Sequence, residues 1–391
     1  MARLIVHIGA PAAGAAPLQS RLARRAEALE RAGACWLDAS DLAGGRPNLD
    51  AMVKLSGRGE GFRARIGLRR ALALCKPRAE ICLGSSERLW WLEDPALIAG
   101  FAEGLRKVYE RIDIVACLPR QDRMLVAQRA PAAAPRALTP AARLWGTEPR
   151  ALPSWRPEFE GRLDHAARLD RWRAAFGADA VHALVDPRDA PEPEAAPTLA
   201  ATLAGLAGLP AELFGPEPPL RPRRGIRAAR ALMAMEAREA GLGPRERREI
   251  AAAAAATKSG PSLKPSRAEA AALMARCAPF NARLEADWRG PDGAPLRFAD
   301  DLSDWPEVGT DRLSPEAGRA LRKLLMEMLA RMTAEQKAAG LRRARVPRLG
   351  PEAGRAAGRT VGEVRKQAEW GELGWRKRIR RRRRLAAAGK L

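Results

Sequence analysis

The first 190 residues alternate short, almost wholly apolar runs with longer segments of helical periodicity. Such runs are typical of parallel strands that are covered by helices on both faces, because these strands have no side exposed to water. Five runs predict strands, at residues 4–8, 35–37, 80–83, 112–118 and 180–185. The pattern therefore predicts an α/β fold with a parallel sheet and flanking helices.

Apolar residues recur at helical spacing between these runs. The clearest stripes are Leu18, Leu22, Ala26 and Leu29; Leu97, Phe101, Leu105 and Val108; and Leu169, Trp172 and Phe176. Segments rich in proline and alanine predict loops at residues 130–140, 186–197 and 215–224, the last a candidate internal boundary. The Ala-rich, charged residues 226–277 predict helices that lie against the sheet domain. We expect an α/β domain over residues 1–310 and a helical, basic extension over residues 311–391.

Positive charge is concentrated at the C-terminal end of the sequence. Residues 341–391 contain 17 basic and 4 acidic side chains, so they carry +13 of the net charge of +23. Residues 376–384 are Arg or Lys at every position but one, and such a run repels itself and predicts a mobile tail. The tail is a candidate for binding a polyanion, whether nucleic acid, acidic polysaccharide or an anionic membrane surface. The alternative is a solubilising extension.

Reactive side chains are sparse and dispersed. The five cysteines include no CxxC pair, and none of the three histidines lies three or four residues from another. Neither a disulfide framework nor a zinc or histidine-based metal site is indicated. No stretch approaches the roughly 20 uncharged apolar residues of a membrane-spanning helix. We expect a folded protein of the reducing cytoplasm, without a metal.

A glycine frame follows the first predicted strand. Gly9 and Gly14 have the GxxxxG spacing of a loop that binds phosphate through its backbone N–H groups and the helix behind it. Such a loop normally adds a Lys and a hydroxyl side chain, but Ala15 and Ala16 occupy those positions. The sequence therefore disfavours a nucleotide hydrolase and predicts a backbone anion cradle without its cation.

Five short motifs follow one another along the chain. They are His7-Ile8-Gly9 with Gly14 and Leu18-Gln19; residues 81–87, ending in SSE; residues 114–127, reading IVACLPRQDRMLVA; residues 163–185, with LDRWRAAFG inside; and Asn281-Ala282-Arg283 with residues 298–307, reading FADDLSDWPE. In this order they resemble the bacterial sulfotransferase-like P-loop family. The resemblance implies a three-layer P-loop NTPase-like sheet. It also implies sulfuryl transfer from 3′-phosphoadenosine 5′-phosphosulfate (PAPS) to a hydroxyl acceptor, such as a carbohydrate or small molecule, without a metal.

The same resemblance implies an eroded donor site. The positions that carry the family's donor-binding side chains hold Ala12, Ala13, Ala15, Ala16, Pro119 and Ala127 in this chain. The residues that remain as candidates for binding the donor are Gly9, Pro11, Gly14 and Arg120, the last beside Pro119. Because loss of one well-placed electrostatic group costs about 10²- to 10³-fold in rate, we expect catalysis to be weak or lost.

Glu87 is the candidate general base, because it follows a strand at the edge where α/β sheets place ligands. Its alternative role is that of a first-turn carboxylate favoured by a helix dipole. Arg120 and Gln121 either bind an anion where the strand before them ends, or Arg120 is an ordinary solvated arginine or pairs with Asp122. His7 is interpreted as a packed core histidine rather than a catalyst.

Two other groups have alternative interpretations. Asp300, Asp301 and Asp304 have a spacing that would suit a divalent metal, but a capped turn with solvated carboxylates is favoured. Trp90 and Trp91 either line an acceptor groove or pack in the core, and packing is the default.

Two functional hypotheses remain. The first is a weak sulfotransferase that uses the cradle, Arg120 and Glu87, and that binds PAPS or its product adenosine 3′,5′-bisphosphate. The second is a catalytically silent scaffold whose basic tail, residues 376–384, grips a polyanion.

Overall fold

The computed structural model describes residues 2–40, 47–134, 139–216, 226–239, 244–256 and 261–311, with a few isolated positions between 319 and 331. Most of the candidate boundary at residues 215–224 lies outside these ranges, as does the basic tail at residues 376–384.

Parallel strands form the central sheet. The described strands are β1 (Arg3–Gly9), β2 (Ala34–Trp36), β3 (Val53–Ser56), β4 (Arg63–Ile66), β5 (Ile81–Ser85), β6 (Arg111–Leu118) and β7 (Val181–Val185). Five of them pair in parallel in the order β2-β5-β1-β6-β7, while β3 and β4 form a separate antiparallel hairpin. Each of the five predicted runs overlaps a strand of the sheet, so the α/β class is confirmed.

The β3–β4 hairpin is missing from the sequence-based prediction. Each of its strands has only four residues, and β4 buries Ala64 and Ile66 while Arg63 and Arg65 are exposed. Alternation over four residues, in a stretch rich in arginine, is too short to separate a half-buried strand from a loop.

Helices surround the sheet. Within the described residues they are α1 (Ala15–Arg24), α2 (Ala26–Arg31), α3 (Leu68–Leu74), α4 (Pro95–Arg106), α5 (Gln121–Ala132), α6 (Pro140–Trp145), α7 (Glu160–Leu163), α8 (His165–Phe176), α9 (Leu199–Ala207), α10 (Ala228–Glu239), α11 (Pro244–Ala256) and α12 (Arg267–Asp287). None of the helices described is both long and apolar enough to cross a membrane.

Local sequence explains where α4 begins and ends. The Asp94 side chain accepts a hydrogen bond from the Ala96 N–H, and Pro95 occupies the first turn, where its missing N–H costs nothing. The helix ends at Arg106, so the predicted apolar stripe does not reach Val108, whose side chain is 47 % exposed. Including Val108 in that stripe was therefore wrong, because the helical spacing stops two residues earlier.

The loop predicted at residues 130–140 begins later than expected. Helix α5 continues through Pro131 to Ala132, which is buried. Pro131 lies in the last turn, where a missing N–H removes one backbone hydrogen bond without interrupting a longer helix. Residues 135–138 are not described, and α6 begins at Pro140 behind the capping side chain of Thr139.

Helices cover both faces of the sheet. Alternate residues of β1 point to opposite faces, so that Ile5 packs with Leu22 of α1, and Val6 belongs to the core that includes Phe101 of α4. Burying one such side chain contributes about 1.5–3 kcal/mol to stability. The double cover explains why the strands read as continuous apolar runs.

The carboxyl edge of the sheet gathers the predicted site residues. The connection after β1 leads to β2 at one edge of the sheet, and the connection after β6 leads to β7 at the other edge. Where neighbouring parallel strands connect in opposite directions, a crevice opens at their carboxyl ends. The two strand ends are joined there, because the Ala10 N–H donates to the Cys117 carbonyl over 2.7 Å. The glycine loop follows β1, Glu87 follows β5 and Arg120 follows β6.

Helix α12 packs against α5 and α8, as expected for the Ala-rich segment after residue 226. Its start is fixed by a capping box, in which Ser266 and Glu269 satisfy each other's backbone N–H groups. The Gln121 side chain of α5 donates to the Asn281 Oδ1 atom of α12 over 2.6 Å. The helical segment is thus connected to the carboxyl edge of the sheet.

Candidate functional site

The loop of residues 9–14 turns the chain sharply from β1 into α1. Gly9, Ala12 and Gly14 have φ values of 115°, 73° and 83°, in the region that favours glycine. Gly14 is the N-cap of α1, and no side chain caps the helix at this end. The first N–H groups of α1, at the positive end of its dipole, therefore face the carboxyl edge.

Arg188 lies beside this loop, although no sequence pattern marks it. It belongs to a short 3-10 helix after β7, Pro187–Asp189, and its Nε and Nη2 atoms contact Asp186 at 2.8 and 2.5 Å. The Nη2 atom is also 3.5 Å from the Ala12 carbonyl oxygen and 3.6 Å from the point where a Cβ on Gly14 would lie. A guanidinium from a distant part of the chain thus stands at the loop that lacks its own lysine.

Glu87 lies next to the start of the loop. The Ser86 N–H donates to the His7 carbonyl over 2.8 Å, and the Glu87 Cα atom is 3.6 Å from the point where a Cβ on Gly9 would lie. Glu87 is partly exposed. The structure therefore brings this predicted residue and the glycine loop together.

A buried polar chain lies beneath the same loop. The His7 Nδ1 atom is 2.9 Å from the Ser85 Oγ atom, which accepts a hydrogen bond from the Gln19 side chain over 2.8 Å. Gln19 in turn accepts from Asn48 over 3.3 Å. Burial lowers the pKa of His7 to about 4, against the opposing effect of the Gly9 carbonyl. His7 is therefore neutral near pH 7 and packed in the core, so it supplies no positive charge to the loop.

Arg120 forms the predicted ion pair with Asp122, and the alternative of a solvated arginine is wrong because its side chain is fully buried. Its Nε and Nη2 atoms each lie 2.9 Å from a carboxylate oxygen of Asp122, and both side chains are fully buried. The Nη1 atom donates to the carbonyl oxygens of Ala299 and Asp301, over 2.7 and 2.6 Å. Burial alone would lower the pKa of Arg120, but the hydrogen bonds and charge of Asp122 raise it. These contacts attach the end of β6 to the loop after α12.

The neighbouring positions from the resemblance provide no anion-binding side chain. Pro119 offers only its carbonyl oxygen, which is 3.0 Å from the His165 Nε2 atom. Ala127 lies within α5 and has an apolar side chain. The β6 end therefore differs from the loop after β1, where Arg188 adds a cation.

The aspartates of the late motif are engaged with neighbouring groups. Asp301 accepts hydrogen bonds from the Ser303 N–H and hydroxyl, over 2.8 and 2.6 Å, as in the predicted capped turn. Asp304 pairs with Arg123, and Asp300 pairs with Arg297. Within the described part of the chain, no group of three His, Cys, Asp or Glu side chains is arranged to hold a metal ion.

Trp90 and Trp91 lie in the core, as the default interpretation predicts. They are 0 and 4 % exposed, and Trp91 makes edge contacts with Phe62 and Trp145. They do not form the wall of an open groove. A cavity of about 280 Å³ lies elsewhere, between α12 and residues 297–302, and its lining residues include Arg120, Glu285 and Arg297.

Comparison of the chain with protein-family models, with curated proteins and with solved structures finds no significant match. The fold and the site by themselves define an α/β protein with a parallel five-stranded sheet. A glycine loop at the carboxyl edge, accompanied by an arginine, is the most distinctive feature of that sheet.

Proposed function

We propose that this protein binds a phosphate or sulfate ester at the carboxyl edge of its sheet, and that sulfuryl transfer is weak or lost. The observation that carries the proposal is the position of Arg188 beside the loop of residues 9–14. The motif resemblance to bacterial sulfotransferase-like P-loop proteins supports the same location.

The N-terminal end of α1 and Arg188 would hold the anion. The first-turn N–H groups of α1 have no acceptor within the helix, and the helix dipole favours a negative charge at this end. Arg188 adds a charge-assisted donor, and Asp186 holds its guanidinium in one orientation. Together they replace part of what a loop lysine supplies.

The residues fit one anionic group and not the two of the nucleotide donor. A 3′-phosphate would need donors near Pro119, Arg120 and Ala127, but the Arg120 guanidinium is engaged by Asp122 and two carbonyls. PAPS is therefore a poor match, and a monoester such as a nucleoside 5′-monophosphate is the better candidate ligand.

Calorimetric titration with adenosine 5′-monophosphate and adenosine 3′,5′-bisphosphate tests this proposal. We expect both to bind with similar affinity, because the second phosphate finds no partner. Arg188→Ala should weaken binding by about 10- to 100-fold, the value of one charge-assisted hydrogen bond, and Arg188→Lys should weaken it less. Arg297→Ala, which removes an exposed, Asp-paired arginine away from the loop, is the control and should leave binding unchanged.

The absence of binding heat at millimolar nucleotide would contradict the proposal, as would equal effects of Arg188→Ala and Arg297→Ala.

A further variant combines Ala12→Lys, Ala13→Thr and Ala127→Ser. Tighter binding of the bisphosphate than of the monophosphate in this variant alone would support an eroded donor site. Glu87→Gln, assayed for residual sulfuryl transfer, tests the role of Glu87 as general base.

The charge of residues 341–391 favours a second function, the binding of a polyanion by a catalytically silent scaffold. Counterion release would make the affinity for a polyanion such as heparin fall steeply as salt concentration rises. Removal of residues 376–391 should abolish that binding while the affinity for the monophosphate stays the same. Unchanged heparin affinity after the truncation would exclude the tail as the binding element.

A further inference from the structure

Two cysteines meet between neighbouring strands, away from the carboxyl edge. β2 pairs with β5 in a register that places Cys35 opposite Cys82, the second residue of β5. The Cys35 thiol donates a hydrogen bond to the Cys82 Sγ atom over 3.3 Å. Both side chains are buried, with exposures of 6 and 0 %. Neither residue belongs to the proposed anion site.

The surroundings of the pair make its two sulfurs chemically unequal. The hydrogen bond from Cys35 lowers the pKa of Cys82 against the effect of burial, and the Tyr109 hydroxyl adds to the lowering. The same contact with Cys82 raises the pKa of Cys35. Because the Cys82 Sγ atom accepts the hydrogen bond from the Cys35 thiol, the contact favours the thiolate form of Cys82, and we assign Cys82 as the nucleophile.

We propose that Cys35 and Cys82 are a site of reversible oxidation, forming a disulfide in the presence of a hydroperoxide. Adjacent strands are about 4.7–4.9 Å apart, within the roughly 4.4–6.8 Å separation of Cα atoms that a disulfide spans. The two Sγ atoms are 3.3 Å apart, whereas they would be about 2.05 Å apart in a disulfide, so bond formation must draw the strands closer and strain the sheet. A bond closed under such strain is easily reduced, which makes the oxidation reversible.

The reaction balances with one hydroperoxide. The Cys82 thiolate attacks the peroxide oxygen, an S–O bond forms, the O–O bond breaks, and the protonated leaving group departs as water when the oxidant is hydrogen peroxide. Cys35, losing its proton, then attacks the sulfenic sulfur of Cys82. The S–S bond forms as the S–O bond breaks, and a second water leaves. Two thiols are oxidised and one peroxide is reduced to two waters.

A small oxidant reaches the buried pair when β2 opens locally. β2 has three residues and lies at the edge of the sheet, where it pairs with β5. Local opening of a short edge strand requires less free energy than global unfolding. We therefore expect oxidation of the folded protein to be slow but complete, and faster when mild denaturant promotes opening.

The test treats the full chain with hydrogen peroxide, quenches with catalase, and counts thiols in denaturant with a chromogenic disulfide. The sequence has five cysteines, so the count should fall by two and return to five after treatment with dithiothreitol. Peptide mapping under non-reducing conditions should find the link between Cys35 and Cys82. Mapping uses the unaltered protein, so this readout does not depend on whether a variant folds.

Two variants distinguish disulfide formation between Cys35 and Cys82 from oxidation of the other thiols. Cys35→Ser should abolish the reversible loss of two thiols and leave Cys82 as a sulfenic acid that dimedone traps. Cys277→Ser, which changes another buried cysteine on α12, should still lose two thiols. Three results would each overturn the proposal. They are a disulfide that joins Cys82 to Cys75, a loss of thiols that dithiothreitol does not reverse, and a count of five thiols after prolonged treatment with hydrogen peroxide.

Discussion

The β1 end of the sheet (residues 7–14 with Arg188) and the β6 end (residues 118–122 with His165) are neighbours that use arginine in opposite ways. In each, a buried strand runs into a turn and then a helix, with a buried histidine close by. Arg188 is 23 % exposed and is held by one carboxylate. Arg120 is fully buried and is bonded to Asp122 and two carbonyl oxygens.

The difference shows that the partners of an arginine, and not its place at a strand end, decide its role. A guanidinium can be buried only where its charge is balanced and its N–H groups are bonded, which leaves little for a ligand. Arg188 keeps exposed surface beside backbone N–H groups that face the same edge. Substitutions at the two ends should therefore change different properties of the protein.

The largest expected effect is on stability at the β6 end. Arg120→Met should lower the free energy of unfolding by about 3–5 kcal/mol, because Asp122 is left buried without its cation. Urea unfolding followed by circular dichroism measures this loss. Replacing the pair together, as Arg120→Met with Asp122→Leu, should recover part of it, although Trp305 then loses its acceptor. A stable Arg120→Met variant that no longer binds nucleotide would reverse the roles assigned to the two ends.

The buried histidines test whether the two ends exclude water equally. Burial lowers the pKa of both His7 and His165 to about 4, from an ordinary 6.5. The unfolded chain therefore takes up protons first as the pH falls. The contribution of each neutral histidine to the free energy of unfolding should be fully present above about pH 6.5. It should decline by about 2 kcal/mol per histidine between pH 7 and 5. Unfolding curves across this range measure it.

His7→Gln and His165→Gln serve as the paired variants for that measurement. Each should remove about half of the decline that the two histidines cause. If only one variant flattens the pH dependence, water reaches the other histidine, and the two ends differ in burial as well as in their arginines.

A third expected effect lies at the opposite edge of the sheet. Burial would raise the pKa of Asp113, but hydrogen bonds from His182, Arg111 and Arg3 hold it below its usual 3.8. Asp113→Asn should lower the free energy of unfolding by about 1–3 kcal/mol at pH 7. The loss is no larger because the three partners are partly exposed and water screens their charges. The loss should begin to shrink as the pH falls below about 4, where the unfolded chain takes up the proton, and should vanish only below the lowered native pKa of Asp113. Nucleotide binding at the β1 end should not change.

The smallest expected effect concerns two adjacent residues of the loop. Ala12 has a φ of 73°, so Ala12→Gly should raise stability by about 0.5–1 kcal/mol by relieving the steric cost of that conformation. Ala13 is buried without a positive φ, so Ala13→Gly should lower stability by a similar amount. Thermal unfolding of the two variants compares them directly. Shifts of the same sign would contradict the loop conformation on which the β1 end depends.

Sequence patterns predict much of the sheet and little of the site. Continuous apolar runs locate the parallel strands to within a few residues, because a strand covered on both faces has a simple local signature. The β3–β4 hairpin lacks that signature. The glycine spacing indicates the turn after β1, and the position of Glu87 after β5 is likewise a local property of the sequence.

By itself the sequence determined the α/β class, the sharp turn after the first strand, and the excess of positive charge in its last 51 residues. Only the tertiary structure decided which arginine accompanies the loop, which arginine is bonded into the core, and which two cysteines meet. These outcomes depend on contacts between residues 47 to 181 positions apart. Local periodicity carries no information about such contacts, because strand order and register bring the partners together.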